Sequence, residues 1–151
     1  MLKLSKKTDY AIILLTHLGE EEDPVSAQEV AKHYKLPYPM VANILKQLVS
    51  SGLIDSIRGK HGGYVLAKPT DEINLAEIIM VTDSPFNLVE CVHDEDNCKV
   101  HQYCPTRRPL LALHKKIQQF VEETTLAAII RDSKPINLTL KESSYETAYL
   151  S

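Results

Sequence analysis

The 151-residue sequence predicts a mainly α-helical fold with a small β-hairpin: a winged helix-turn-helix followed by a long C-terminal helix. Three observations favour this class. Apolar residues recur at spacings of three and four in the segments 6–18, 39–48 and 108–130, as in amphipathic helices. A proline-containing break precedes the second of these segments. Two short strand-like runs, 53–57 and 64–67, enclose a glycine-rich basic turn.

Composition narrows the class of protein. No apolar run approaches the roughly 18 to 20 residues that span a bilayer, and the N-terminus lacks the apolar core of a signal peptide. We therefore expect a cytoplasmic protein with no membrane partner. Net charge is -3, but residues 1–68 hold 9 Lys or Arg against 7 Asp or Glu, whereas residues 69–151 hold 8 against 13. The slight basic surplus lies in the N-terminal half, where a nucleic-acid partner is expected.

Residues 1–80 form the predicted DNA-binding domain. The first helix runs from Lys6 to Leu18, and the Ser26–Glu29 segment has the form of a capping box that starts a short second helix ending near His33. Pro37 ends the turn that follows, and a third helix starts near Pro39. The apolar face of the first helix carries Ala11, Leu14, Leu15 and Leu18. The apolar face of the third helix carries Val41, Ile44, Leu45 and Leu48. Gly52 lies where the chain leaves this helix.

The third helix is the predicted recognition helix, which lies in a DNA major groove. Asn and Gln can each make two hydrogen bonds to adenine, and Lys can reach guanine or phosphate. The alternative is that its polar residues are ordinary solvated side chains. The predicted DNA contacts on this helix are Tyr38, Pro39, Met40, Asn43, Lys46 and Gln47.

The two strand-like runs and the turn between them form the predicted wing. Its tip is cationic and carries three glycines, which allow positive φ angles and close approach to another surface. Cationic side chains there can contact phosphates or enter the minor groove. The predicted DNA contacts of the wing are Arg58, Lys60, His61 and Gly62.

A loop over residues 81–105 carries all three cysteines. It follows a helix that starts with a second capping box at Asn74–Glu77 and carries Leu75, Ile78 and Ile79 into the core. The spacing is Cys91-x6-Cys98-x5-Cys104. Thiolates suit iron-sulfur clusters, zinc and cuprous copper, and the absence of a tight cysteine pair favours a cluster over zinc. Free thiols remain a third possibility.

Residues 106–130 form a predicted dimerisation helix. Its apolar stripe is longer than a small winged domain can cover, which favours a homodimer with two recognition helices. The alternative is that the helix packs on its own core. Residues 131–151 are expected to form a flexible tail. The stripe comprises Leu110, Leu113, Ile117, Phe120, Val121, Leu126 and Ile129.

Four features together resemble the Rrf2 type of winged-helix regulators: the opening LSKKTDYAIILL, the wing RGKHGGYVLAKP, the segment INLAEII, and three cysteines downstream. The resemblance covers residues 1 to about 130. It implies a repressor that binds promoter DNA and senses the status of an iron-sulfur cluster, 2Fe-2S or 4Fe-4S. The opening and the cysteine spacing look most like the Suf-regulator branch, which implies control of cluster-assembly genes.

The branches of this family differ in the fourth ligand. The Isc-type regulator has a histidine three residues after the third cysteine, where this chain has Arg107, and a guanidinium stays protonated. The NsrR-like branch uses an aspartate of the first helix from the partner subunit, and Asp9 occupies the matching position. Asp9 is therefore the expected fourth ligand, although an aspartate near a helix start is also favoured by the helix dipole alone. The local competitors are Glu90, His93 and His101.

Other functions compete with this hypothesis. A zinc-bound or thiol-redox regulator would have the same fold and no cluster. An enzyme with Cys104 as nucleophile and His101 as base is disfavoured, because Pro105 interrupts helix geometry there and no phosphate cradle or paired-carboxylate site is present. A winged helix used only for protein binding is mildly disfavoured by the basic wing tip. No small-molecule substrate is expected.

Overall fold

The structure, a computed structural model, describes residues 3–83, 88 and 103–133. It is mainly helical with one two-stranded hairpin, as the sequence predicts. No helix in these ranges is long and apolar enough to cross a membrane. The elements are α1 Lys6–Glu20, α2 Ala27–His33, α3 Tyr38–Ser50, β1 Ile54–Ile57, β2 Gly63–Leu66, α4 Leu75–Thr82, α5 Arg107–Glu123 and α6 Leu126–Ser133.

The helix-turn-helix consists of α2, a four-residue turn and α3. The predicted capping box of α2 is present: the Glu29 N–H donates to Ser26 Oγ at 3.2 Å, and the Ser26 N–H donates to Glu29 Oε2 at 3.0 Å. In the turn Lys35 has φ +54°, and the Leu36 N–H donates back to the Ala31 carbonyl at 2.9 Å. The helix α3 starts at Tyr38, with Pro37 as its N-cap residue. The predicted apolar faces of α1 and α3 are buried, which confirms both patterns.

The wing is an antiparallel hairpin tied to the chain just before α2. Its register pairs Ile54 with Leu66 and ends at Ile57 and Gly63. In addition to the β1–β2 pairing, Tyr64 of β2 exchanges two backbone hydrogen bonds, of 3.1 and 2.8 Å, with Val25. A Cβ on Gly63 would lie 2.6 Å from the Val25 carbonyl oxygen, so this close approach requires glycine. The strand β2 is therefore anchored, next to the wing tip, to the segment that leads into α2.

The helix α4 begins at the second predicted capping box. The Glu77 N–H donates to Asn74 Oδ1 at 2.9 Å, and the Asn74 N–H donates to Glu77 Oε2 at 3.3 Å. Ile78 and Ile79 are buried as predicted, but the prediction that Leu75 enters the core is wrong, because this first residue of α4 is only half-buried. Ile73, just before the cap, is fully buried instead.

The prediction of one continuous helix over 106–130 is also wrong. The helix α5 ends at Glu123, and Thr124 has an extended ψ of 105°. The connection pairs with the chain before α4: the Leu75 N–H donates to the Thr124 carbonyl and the Leu126 N–H to the Ile73 carbonyl, both at 2.8 Å. These bonds replace helical bonds and redirect the chain. Leu126 is fully buried in the core, so the alternative of packing on its own domain holds for α6.

The C-terminal tail begins later than predicted. Residues 131–133 belong to α6, and Ile130 of this helix packs against the hydrophobic core. The remainder of the predicted flexible tail, 134–151, lies outside the described residues.

The cap of α4 leads to a stability prediction. Asn74→Ala removes the side-chain acceptor for the Glu77 N–H and should lower the free energy of unfolding by about 1 kcal/mol. Urea denaturation followed by circular dichroism measures the loss. Gln28→Ala, at an exposed position of α2, is the control and should change stability by less than about 0.5 kcal/mol. Equal losses in the two variants would contradict a specific role for the cap.

Candidate nucleic-acid interface and thiol site

The outward surface of α3 is centred on Asn43 and Lys46. Both are exposed, and both lie opposite the buried apolar face. Pro39 and Tyr38 are exposed at the start of the same helix. Ser50 is exposed as well, four residues after Lys46, and its hydroxyl donates to the Lys46 carbonyl at 2.9 Å. The sequence analysis did not include Ser50, although its spacing of seven from Asn43 places it on this face.

Met40 and Gln47 lie at the edge of this surface rather than at its centre. Met40 is half-buried and packs against the hydrophobic core. Gln47, seven residues later, is also half-buried, and its Oε1 atom is buried without a hydrogen-bond partner in the described part of the chain. Met40 and Gln47 are therefore less accessible than Asn43 and Lys46, and their contact with DNA stays a prediction.

The tip of the wing presents three exposed basic side chains, Arg58, Lys60 and His61. Gly59 has φ +123°, which favours glycine. A Cβ on Gly62 would collide with the Ile57 carbonyl oxygen. Gly62 is half-buried, and its N–H donates to the Gly59 carbonyl at 3.1 Å. The structure thus gives Gly62 a role in closing the hairpin, while its contact with DNA stays a prediction.

An open groove separates the wing tip from the segment that leads into α2. It has a volume of about 460 Å³. A second groove of about 660 Å³ shares Asp23, Pro24 and Glu29 with it and extends toward His17 and His33. The first groove is lined by Asp23, Pro24, Ser26, Glu29, Lys60, His61 and Gly62.

Cys104 lies just before α5, outside regular helix, and is half-buried with a free thiol. Its Sγ is 3.3 Å from the Thr106 hydroxyl oxygen. Hydrogen bonding from the Thr106 side chain lowers the pKa of the Cys104 thiol most, with smaller contributions from the backbone of Thr106 and from Arg107. This environment favours the thiolate, the form that ligates metal and reacts with oxidants.

The other predicted ligands are only partly described. Cys91, Cys98, Glu90, His93 and His101 lie outside the described residues. Asp9 is exposed in the first turn of α1. Among the residues that the structure describes, no group of three or more His, Cys, Asp or Glu side chains is arranged to hold a metal ion. Asp9 and Cys104 therefore stay predicted ligands.

The first turn of α1 is nevertheless tied to the start of the cysteine loop. Next to Asp9, the buried Thr8 hydroxyl is 2.8 Å from the hydroxyl of Thr82, which is the last residue of α4. Thr82 therefore lies at the start of the segment 81–105 that the sequence predicts as the cysteine loop. The sequence analysis missed this link, because the two threonines are 74 residues apart.

The apolar stripe of α5 divides into two parts. His114 is buried, and Leu110, Ile117 and Val121 are half-buried around it. Leu113 and Phe120, by contrast, are 45% and 68% exposed. They are seven residues apart and thus lie on one side of the helix. The domain covers one part of the stripe and leaves the other exposed.

Related sequences show what kind of protein this chain is similar to. The HTH-type transcriptional regulator NsrR of Shouchella clausii is 28% identical over 148 residues, which cover 96% of this chain and 99% of that protein. The HTH-type transcriptional regulator CymR of Bacillus subtilis is 30% identical over 128 residues, which cover 83% and 87%. These relatives are transcriptional regulators and not enzymes, which agrees with the expectation that Cys104 is not an enzyme nucleophile.

Solved structures share the fold and confirm the predicted winged-helix class. CymR (YrzC), the global cysteine regulator of B. subtilis, superposes with a TM-score of 0.71 at 26% identity, covering 88% of this chain and 99% of that one. IscR of T. potens superposes with a TM-score of 0.68 at 26% identity, covering 88% and 89%. Residues 4–132 match Rrf2, described as an iron-dependent transcriptional regulator. Because this match spans most of the sequence, the chain belongs to the Rrf2 family of transcriptional regulators.

Proposed function

We propose that this chain is a cytoplasmic homodimeric repressor that binds promoter DNA, senses the status of an iron-sulfur cluster and controls cluster-assembly genes. The observation that supports DNA binding most directly is the exposed polar face of α3 beside a cationic wing. An α-helix fits the major groove, which is about 12 Å wide, and the N-terminal part of a recognition helix meets the base edges. Asn43 and Lys46 are the central contacts in this proposal, and Arg58, Lys60 and His61 contact phosphates or the minor groove.

The sensing part of the proposal rests on the thiols. The lowered pKa of Cys104 and its partly exposed position fit a thiolate ligand, and the family description as iron-dependent agrees with a metal centre. Cys91, Cys98 and Cys104 would hold the cluster, with Asp9 of the partner subunit as the fourth ligand. When bound, the cluster would supply a centre sensitive to oxidants and to iron supply. An exposed carboxylate such as Asp9 is an exchangeable ligand, which suits a sensor.

A thiol-redox or zinc-bound regulator is the second candidate. Its supporting observations are the free, partly exposed Cys104 thiol with a lowered pKa and the relative described as a global cysteine regulator. Low-pKa accessible thiols are the ones that oxidants modify. This candidate has the same DNA-binding surface. It differs from the first in that Cys104 binds zinc or stays a redox-active thiol and does not ligate a cluster.

The first experiment is to purify the protein without oxygen and to record its visible absorption, iron, zinc and acid-labile sulfide. The metal-loaded and metal-free forms are then titrated against the promoter upstream of its own gene. A brown protein with matched iron and sulfide, whose DNA affinity changes on cluster loss, would support the sensor. A colourless protein with zinc or free thiols and unchanged DNA affinity would favour the second candidate.

A single substitution on α3 tests the recognition surface. Asn43→Ala should weaken operator binding by about 1–3 kcal/mol, roughly 5- to 150-fold, for each half-site, because it removes a base-reading amide from the centre of the exposed face. Affinity for random DNA should change little. Fluorescence anisotropy with both duplexes measures the difference. Gln118→Ala, which removes an exposed amide from α5, is the matched control. An unchanged operator affinity in Asn43→Ala would contradict the proposed reading face.

A further inference from the structure

The cationic wing tip shares a groove with two carboxylates of its own domain. Lys60 and His61 line one wall, and Asp23 and Glu29 line the wall formed by the segment before α2 and its first turn. The carboxylates and the cations are 30 or more positions apart in the sequence, and the fold brings them to the same opening. This arrangement places negative charge beside the part of the molecule that is proposed to meet phosphates.

Several contacts hold the two walls in place. The paired backbone bonds between Val25 and Tyr64 join them next to the wing tip. Glu29 accepts hydrogen bonds from the Ser26 N–H at 3.0 Å and the Ser26 hydroxyl at 2.9 Å. These bonds, the backbone one first, lower the pKa of the Glu29 carboxyl, which therefore stays ionised at neutral pH. Asp23 is exposed beside it.

Asp23 and Glu29 line the same groove as the wing cations but do not neutralise Lys60 by direct contact. In the described ranges of the chain, Lys60 forms no ion pair with Asp23 or Glu29. Charges that face each other across an open groove interact through solvent, at a strength that falls with ionic strength. The ammonium group of Lys60 thus remains available to a phosphate, while Asp23 and Glu29 place negative charge in the same groove.

We propose that Asp23, together with Glu29, is a positioning residue that restrains sequence-independent DNA binding by the wing, acting through Lys60. This inference rests on the DNA-binding part of the proposed function. Sequence-independent binding depends almost wholly on phosphate contacts, so a lower positive potential at the wing tip weakens it. A regulator benefits because random genomic sites compete with its operators.

The test compares Asp23→Asn with Glu22→Gln in the full-length protein. Glu22 is exposed in the same turn but does not line either groove, so it matches the change in net charge. Binding to a random-sequence duplex is measured at low and at high salt. Asp23→Asn should raise the affinity about two- to threefold at low salt, and the gain should shrink at high salt. Glu22→Gln should raise it less.

A double-mutant cycle with Lys60→Ala distinguishes action through Lys60 from a general charge effect. In the Lys60→Ala background, Asp23→Asn should lose its advantage over Glu22→Gln. A retained advantage, or equal gains by both variants in the wild-type background, would overturn the inference while leaving the proposed function intact. A wild-type protein that binds neither random nor promoter DNA would overturn both.

Discussion

Cys104→Ala is expected to keep the fold of the wild-type protein and to lose the iron and acid-labile sulfide that we propose it binds. Cys104 lies before α5 and outside the hydrophobic core, so its side chain contributes little to packing. With three cysteines in the chain, removal of one leaves too few thiolates to hold a cluster stably. Iron and sulfide per subunit should fall to near zero in protein purified without oxygen, while the far-ultraviolet circular dichroism should stay unchanged.

Thr106→Val is the matched control for this substitution. It keeps the thiol and removes the hydroxyl that lies 3.3 Å from Sγ. Iron and sulfide should be retained at neutral pH. Because the Thr106 hydroxyl is the largest cause of the lowered pKa of Cys104, this variant should raise the thiol pKa, and metal should be lost at a higher pH during acidification. Wild-type iron content in Cys104→Ala would contradict its role as a ligand.

The parts of the fold that depend on neighbours in sequence could be predicted. Both capping boxes join residues three positions apart, Ser26 with Glu29 and Asn74 with Glu77, so the residue types alone identify the helix starts. The buried stripes of α1 and α3 repeat with the helical period and need no knowledge of what covers them. The same period identified Asn43 and Lys46 as exposed.

The break between α5 and α6 could not be predicted in this way. Leu126 and Ile129 continue the apolar spacing of α5 closely enough that the pattern indicates one helix. The chain turns at Thr124 because its carbonyl pairs with Leu75, some fifty residues away, and because Ile73 accepts from Leu126. Such pairings between distant segments leave no mark in local periodicity. For the same reason, the sequence did not predict the groove between Asp23 and Lys60 or the buried contact of Thr8 with Thr82.

The division of the C-terminal segment changes where a dimer interface can lie. Leu126 and Ile130 are used within the domain, so they are not available to a partner. The face of α5 that carries Leu113 and Phe120 is exposed. We therefore place the proposed homodimer contact on α5 alone, on the side of the helix away from His114.

Phe120→Glu is expected to convert the proposed dimer into a monomer and to weaken operator binding by a factor on the order of 10² to 10⁴. Phe120 is 68% exposed in the single subunit, so the substitution should not unfold the domain. In a dimer whose apolar α5 faces pair, the new carboxylate would be buried without a partner, which strongly disfavours association. Loss of the second recognition helix then removes the gain from binding two half-sites together. Sedimentation velocity and operator titration measure the two effects.

Gln119→Glu is the control, because it adds the same charge at an exposed neighbouring position of α5. It loses the hydrogen bond to Glu123, which costs the helix only about a few tenths of a kcal/mol. This variant should stay dimeric and should bind the operator with an affinity close to that of the wild type.

If Phe120→Glu also stays dimeric, the subunits must associate through another surface. If it becomes monomeric but still binds the full operator as tightly as the wild type, recognition does not require two half-sites, and the symmetric arrangement proposed for the two α3 helices is contradicted.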